Sequence, residues 1–196
     1  MEHTHLPIRG LNIHVAQLGK GELGAVVFLH GFPEIWHSWR HQMRAVAAAG
    51  VVHGGGPRRL RRALRQVRLP LPSADAIQVV REQCQTQQMR GHAVVSSHAT
   101  SFFHGLLLGR AVHRIPNRLD ARFQVPVFMV MGDKDYCPRF PWFEAAMESG
   151  AMETFAPDLK ITYIPEGSHF VQEQFPEKVN ELLLGFFKDH PDHVAA

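Results

Sequence analysis

Ala25-Val26-Val27-Phe28-Leu29-His30-Gly31-Phe32-Pro33 decides the fold of this chain. Its first five residues are apolar without interruption, the pattern of a parallel strand covered on both faces. Gly31 and Pro33 then break the run into a loop. Beyond it Trp36, Trp39, Met43, Val46 and Ala47 recur at helical spacing, and Gly50 stands where a helix C-cap belongs. Upstream, Leu11-Asn12-Ile13-His14-Val15-Ala16 follows a turn at Gly10 and alternates apolar with polar, which predicts an edge strand. Gly19 to Gly24 reads as the turn between the two strands.

The C-terminal part has the same character. Val125 to Met131 is a second apolar strand, and it empties into Gly132-Asp133-Lys134-Asp135. Phe143 to Phe155 reads as helix with a break at Gly150. Leu159 to Ile164 reads as a short strand that runs into Pro165-Glu166-Gly167-Ser168-His169-Phe170. Pro176 opens a last helix with Val179, Leu182, Leu183, Phe186 and Phe187 on one face. Strand, helix, strand, helix at this spacing implies an α/β fold, a mostly parallel sheet flanked by helices.

Between these parts the text changes. Residues 51–122 hold twelve Arg, no Lys and three acids, a net charge of +9, and the other 124 residues carry −6, within an overall +3 for 196 residues. Only two of the eighteen aromatic residues, Phe102 and Phe103, fall in that segment. Pro57 to Arg68 is dominated by arginine, and Pro70 and Pro72 stop it. Ala76 to Val80 and Ala93 to Val95 are compatible with short strands, and Phe102 to Leu108 is an apolar run. None has caps or sustained periodicity, so the segment is left poorly defined. The sequence therefore divides as 1–50, 51–122 and 123–196.

Length and composition bound the function class. A chain of 196 residues with 45% apolar content can bury a core, and length alone suggests one domain. The start carries no basic leader with an apolar core, and no apolar run approaches the roughly 18 residues a membrane span needs, so neither a signal peptide nor a membrane anchor is expected. Cys84 and Cys137 form no C-x-x-C pair, which fits a reducing compartment. The expected location is the cytoplasm, with the peroxisome as the alternative although Val194-Ala195-Ala196 matches no simple signal.

The two outer parts resemble the α/β-hydrolase fold and, within it, the soluble epoxide hydrolases, the plant branch most of all. The resemblance rests on H-L-P-I-R-G-L-N-I-H-V-A-Q-L-G from His5, V-V-F-L-H-G-F-P-E-I-W-H-S-W-R-H-Q from Val26, V-P-V-F-M-V-M-G-D-K-D from Val125 and I-P-E-G-S-H-F-V-Q-E-Q-F-P-E-K-V-N from Ile164. It covers about residues 5–50 and 122–190. It implies hydrolysis of an epoxide to a vicinal diol through an ester formed by a carboxylate nucleophile. His169 would be the base that activates water, and Asp135, favoured over Asp133 by its place in G-x-x-D, would hold the imidazole and stabilise its cation. The His30-Gly31-Phe32-Pro33 loop would aim the Phe32 backbone N–H at developing negative charge, and Trp36 would floor an apolar pocket. The substrate expected is a small apolar epoxide or ester. No cofactor and no metal is implied.

The family's nucleophile rides a strained turn, usually Gly-x-Asp-x-Gly. Residues 51–122 contain no such turn. Asp75 lies between Ser73 and Ile77, Cys84 between Glu82 and Thr86, Asp120 between Arg118 and Arg122. Ser97, with Val95 before and Ala99 after, is half a match. The tyrosines of the family's helical lid are missing too, since Tyr136 and Tyr163 both belong to the C-terminal part. His53-Gly54-Gly55-Gly56 imitates an esterase oxyanion loop but follows a helix rather than a strand. His37 and His41 lie at i, i+4 on the first helix without a third metal ligand at suitable spacing. The arginine run lacks Lys, interleaved aromatics and a recognisable module, which argues against nucleic acid. The expectation is an epoxide-hydrolase-like chain without its nucleophile and inactive as written, residues 51 to about 121 being translated in a shifted frame or from an altered splice. The alternatives are a serine esterase built on Ser97 and a non-catalytic binding protein. The sequence fixes no oligomeric state.

Overall fold

A computed structural model of the chain describes residues 1–8, 11–18, 25–30, 34–49, 63–67, 92–96 and 125–190. The chain divides into two compact units, one of residues 1–98 with 175–196 and one of residues 99–174. The Gly10, Gly19–Gly24 and Gly50 positions and the Ala76–Val80 and Phe102–Leu108 runs lie outside the described residues.

The first unit is built on a five-stranded sheet of β1 (Glu2–Ile8), β2 (Leu11–Leu18), β3 (Ala25–Leu29), β4 (Ala63–Val67) and β5 (His92–Ser96). Their order is β1-β2-β4-β3-β5. β3 runs parallel to both β4 and β5, while β2 is antiparallel to β1 and to β4. The uninterrupted Ala25–Leu29 run thus lies between two parallel neighbours, and Val26, Val27 and Phe28 are all buried. The edge position expected of Leu11–Ala16 is overturned, because Glu2–Ile8 forms a further strand outside it. Pro7 lies in that outermost strand, the position in a sheet where proline is tolerated. Ala63–Val67 is a strand although its arginine-bearing sequence gives no convincing pattern. Pairing with neighbours on both sides decides its conformation where propensity does not.

Trp36–Trp39 forms a 3-10 turn that leads into α1 (Arg40–Ala49). Helical spacing places Trp39, Met43 and Val46 inward, where they are buried with Ala16, Val26 and Phe28. The rings of Phe28 and Trp39 meet at 5.5 Å between centroids. The last helix, Pro176–Asp189, packs against α1 and sends Phe187 into the same cluster.

The second unit holds a parallel pair, β6 (Val127–Gly132) and β7 (Leu159–Ile164), in register from Val127 opposite Leu159 to Gly132 opposite Ile164. Between them come a 3-10 turn, Cys137–Arg139, and two short helices, α2 (Pro141–Glu148) and α3 (Ala151–Phe155). Gly150 breaks α2 from α3 with a left-handed φ of 68°, as the sequence predicts. Met129 and Met131, alternate residues of β6, are buried with Phe143, Ala146, Met152 and Ala156, and Val127, Leu159 and Ile161 pack against them. After β7 the chain passes through α4 (Val171–Gln174) to α5, the Pro176–Asp189 helix. Among the described residues no helix is long and apolar enough to cross a membrane.

Candidate active site

The site is made where β6 and β7 end side by side. Beyond their last paired residues the two loops stay joined through the main chain. Asp133 N–H donates to the Ile164 carbonyl at 3.1 Å, and Lys134 N–H to the Gly167 carbonyl at 2.9 Å. The approach is so close that a Cβ on Gly132 would lie 2.0 Å from the Gly167 carbonyl oxygen, and one on Gly167 would lie 2.8 Å from the Gly132 Cα. Only glycine fits at either position.

Asp135 emerges from this junction almost fully covered, at 6% exposure. Its Oδ1 accepts the Cys137 backbone N–H at 2.8 Å, the side-chain-to-backbone turn that Asp readily makes two residues ahead. His169 comes from the other loop, and its Nδ1 lies 3.1 Å from Oδ1 and 3.0 Å from Oδ2 of Asp135. Burial pushes the Asp135 carboxyl up. The hydrogen bonds from His169 and the Cys137 N–H, with the His169 charge, outweigh it and hold the group below the ordinary carboxylate range. An ionised Asp135 requires a proton on Nδ1, which leaves Nε2 as the acceptor nitrogen of a neutral His169.

The loop that carries His169 is held at several points. Gly167 N–H closes a turn onto the Ile164 carbonyl at 3.0 Å, with Glu166 at a left-handed φ of 61°. A side chain in that region costs about 1–2 kcal/mol. Gln174 of α4 bridges both sides of the turn: its Oε1 accepts Ser168 N–H at 2.8 Å, and its Nε2 donates to the Glu166 carbonyl at 3.3 Å. Lys134 and Glu166 pair across the two loops in the open, where such pairs contribute little. The His169 ring stands between Tyr136 and Phe170, each 5.0 Å away between centroids.

The structure thus brings Asp135 and His169 together. Asp133 is an exposed turn residue beside them. His30 is half-buried at the end of β3 in the first unit, and Gly31, Phe32 and Pro33 lie outside the described residues. Trp36 is half-buried in its 3-10 turn, its ring edge-on to His3 at 5.0 Å. With Met1, His3, Leu18, His37, Arg40 and Arg44 it lines an open cavity of about 320 Å³. Ser97 and the other weighed positions, Asp75, Cys84, Asp120 and the His53–Gly56 stretch, also lie outside the described residues. Gln174 and Cys137 carry no motif that would single them out. The one sequence signal for Cys137 is its place two residues after Asp135.

No family model matches the chain. Over 50 residues it is 52% identical to epoxide hydrolase 2 of Siraitia grosvenorii, a match that takes in 26% of this chain and 15% of that protein. Epoxide hydrolase B of Mycobacterium tuberculosis is 54% identical over 50 residues, 24% of this chain and 14% of that one. The matched stretch thus spans less than a sixth of these relatives. In three dimensions the chain is similar to an epoxide hydrolase from Vigna radiata, with a TM-score of 0.64 at 16% identity over 96% of this chain and 98% of the other. The chain thus has the α/β-hydrolase fold of these structures, and one 50-residue segment of it is similar in sequence to epoxide hydrolases.

Proposed function

We propose that the chain carries the water-activating half of an epoxide hydrolase and lacks the half that attacks the epoxide. The hydrogen bond between His169 Nδ1 and Asp135 at 3.0 Å carries this reading. It fixes the imidazole so that Nε2 can take a proton from water, and the buried carboxylate stabilises the cation that forms. In the family reaction this step releases the diol from an ester, and the ester needs a carboxylate nucleophile. Residues 51–122 offer no Asp in a small-x-Asp-x-small turn and no lid tyrosine. Losing the nucleophile of a triad lowers kcat by roughly a million-fold in a serine protease. Purified full-length chain with a styrene-oxide-like substrate is expected to give little or no diol. Turnover above buffer that disappears in His169→Ala would overturn the inactive reading.

A second reading is favoured by β5. That strand runs parallel to β3, pairs Ser96 with Leu29, and so ends beside the strand that leads to His30. Ligand sites in α/β sheets gather at the carboxyl ends of such strands, and Ser97 is the next residue. A serine esterase built on Ser97 would react with a fluorophosphonate probe at that residue and lose the label in Ser97→Ala. A binding protein acting through its basic segment would instead show strongly salt-dependent association with nucleic acid. The expected compartment remains the cytoplasm, and the changed text of residues 51 to about 121 is attributed to a shifted frame or altered splice. The coding nucleotides test this: another frame that yields hydrolase-like text supports it, and none would sink it.

A further inference from the structure

We propose that Asp135, Cys137 and His169 form a binding site for a zinc-class divalent cation, which competes with the hydrogen bond between Asp135 and His169. Among the described residues this is the one group of three such side chains whose ligand atoms all lie within 4.8 Å of one another. The donor set is one carboxylate oxygen, one thiol sulfur and one imidazole nitrogen, and all three are regular zinc ligands. Zinc bonds of about 2.0–2.3 Å put the ligands of a tetrahedral site roughly 3.3–3.7 Å apart. The His169 Nδ1 to Asp135 oxygen separations, 3.0 and 3.1 Å, are already close to that edge length. A small outward movement of the ring admits the ion.

The surroundings suit the ion as well. Asp135 and Cys137 are 6% and 9% exposed, and the His169 side chain is 12% exposed, so the cation would be largely dehydrated but reachable. Cys137 forms no disulfide. The loops that supply the ligands are joined at Gly132 and Gly167 through the main chain, which limits the entropy lost on binding. With a thiolate and a carboxylate the three-ligand site has no net charge, and the fourth position goes to water. The proton count closes simply. The thiol releases one proton to solvent, and neutral His169 moves its proton from Nδ1 to Nε2 so that Nδ1 can bind. His37 and His41, the pair the sequence suggests, have no such third partner among the described residues.

The site does not depend on the catalytic reading above, and its test uses no activity. Cobalt(II) titrated into the full-length chain should give a sulfur-to-cobalt charge-transfer band in the near ultraviolet, saturating at one equivalent and abolished by zinc. The band should vanish in Cys137→Ser, persist in Cys84→Ser, and need at least about tenfold more cobalt in His169→Ala, as even outer-shell losses weaken metal sites by 10–100-fold. Circular dichroism checks that each variant is folded. In the unmutated chain, zinc should protect Cys137 but not Cys84 from iodoacetamide, as read by peptide mass. A cobalt spectrum without the sulfur band, a band that survives Cys137→Ser, or equal alkylation of Cys137 with and without zinc would each overturn the proposal.

Discussion

Gly132→Ala puts a methyl group 2.0 Å from the Gly167 carbonyl oxygen, main chain against side chain with nothing able to swing away. Gly150→Ala meets open space, with only the Glu153 carboxylate at 3.8 Å, yet forces alanine to a φ of 68°. The first substitution is expected to cost about 3 kcal/mol or more by overpacking, and the second about 1–2 kcal/mol from backbone strain alone. Urea denaturation of the two variants side by side separates contact from conformation. Equal losses would show the junction to be looser than described. Asp135 makes a pH prediction with a definite sign. Its folded pKa lies below the ordinary value, so its ionisation contributes stability above about pH 3.9 that is lost as pH falls through the lower folded value. Melting temperatures across the acid range should contain this component in the unmutated chain and lack it in Asp135→Asn. Removing the His169 ring leaves burial opposed by Cys137 alone. The Asp135 carboxyl should therefore titrate at higher pH in His169→Ala, as followed by carbon NMR of that group. Asp135 and His169 are singled out in the sequence by the resemblance of G-D-K-D and I-P-E-G-S-H-F to the epoxide hydrolases. That they meet at 3.0 Å is a consequence of strand register, which no local pattern encodes.

At the scale of elements, α4 shows how one short helix positions a loop. Gln174 satisfies a donor and an acceptor of the turn before His169. Gln174→Ala is expected to cost about 1–2 kcal/mol for the two bonds and to speed amide exchange at Ser168. Gln174→Glu keeps the acceptor and loses the donor, so it should fall between the two, with Ser168 still protected. Unchanged Ser168 exchange in Gln174→Ala would refute the role. The same scale shows which elements were readable. Leu159–Ile164 is a strand with the bounds its apolar run predicts, and Gly150 breaks the helix where expected. Glu2–Ile8 opens on Glu-His-Thr-His and Ala63–Val67 lies inside an arginine-rich run, so neither shows a strand pattern. They are strands because β2 and β3 offer hydrogen bonds to them, a tertiary cause that composition hides.

At the scale of the whole molecule, the two buried clusters among the described residues share no residue. One centres on Phe28, Trp39 and Met43, the other on Met131, Phe143 and Met152. Phe143→Ala, at a side chain 1% exposed, is expected to cost about 3–5 kcal/mol. Hydrogen exchange should then rise across residues 127–164, while residues 25–46 keep their protection. A uniform rise over both stretches would mean that the units unfold as one. This division also bears on how such chains are recognised. Asp135, His169, the two glycines that seat them and the glutamine that steadies them all belong to residues 132–174, inside one unit. Both members of the pair lie outside residues 51–122, the segment where a nucleophile would ride. A survey that scores candidate hydrolases by a well-formed acid–histidine couple would therefore be reading the folding of one unit.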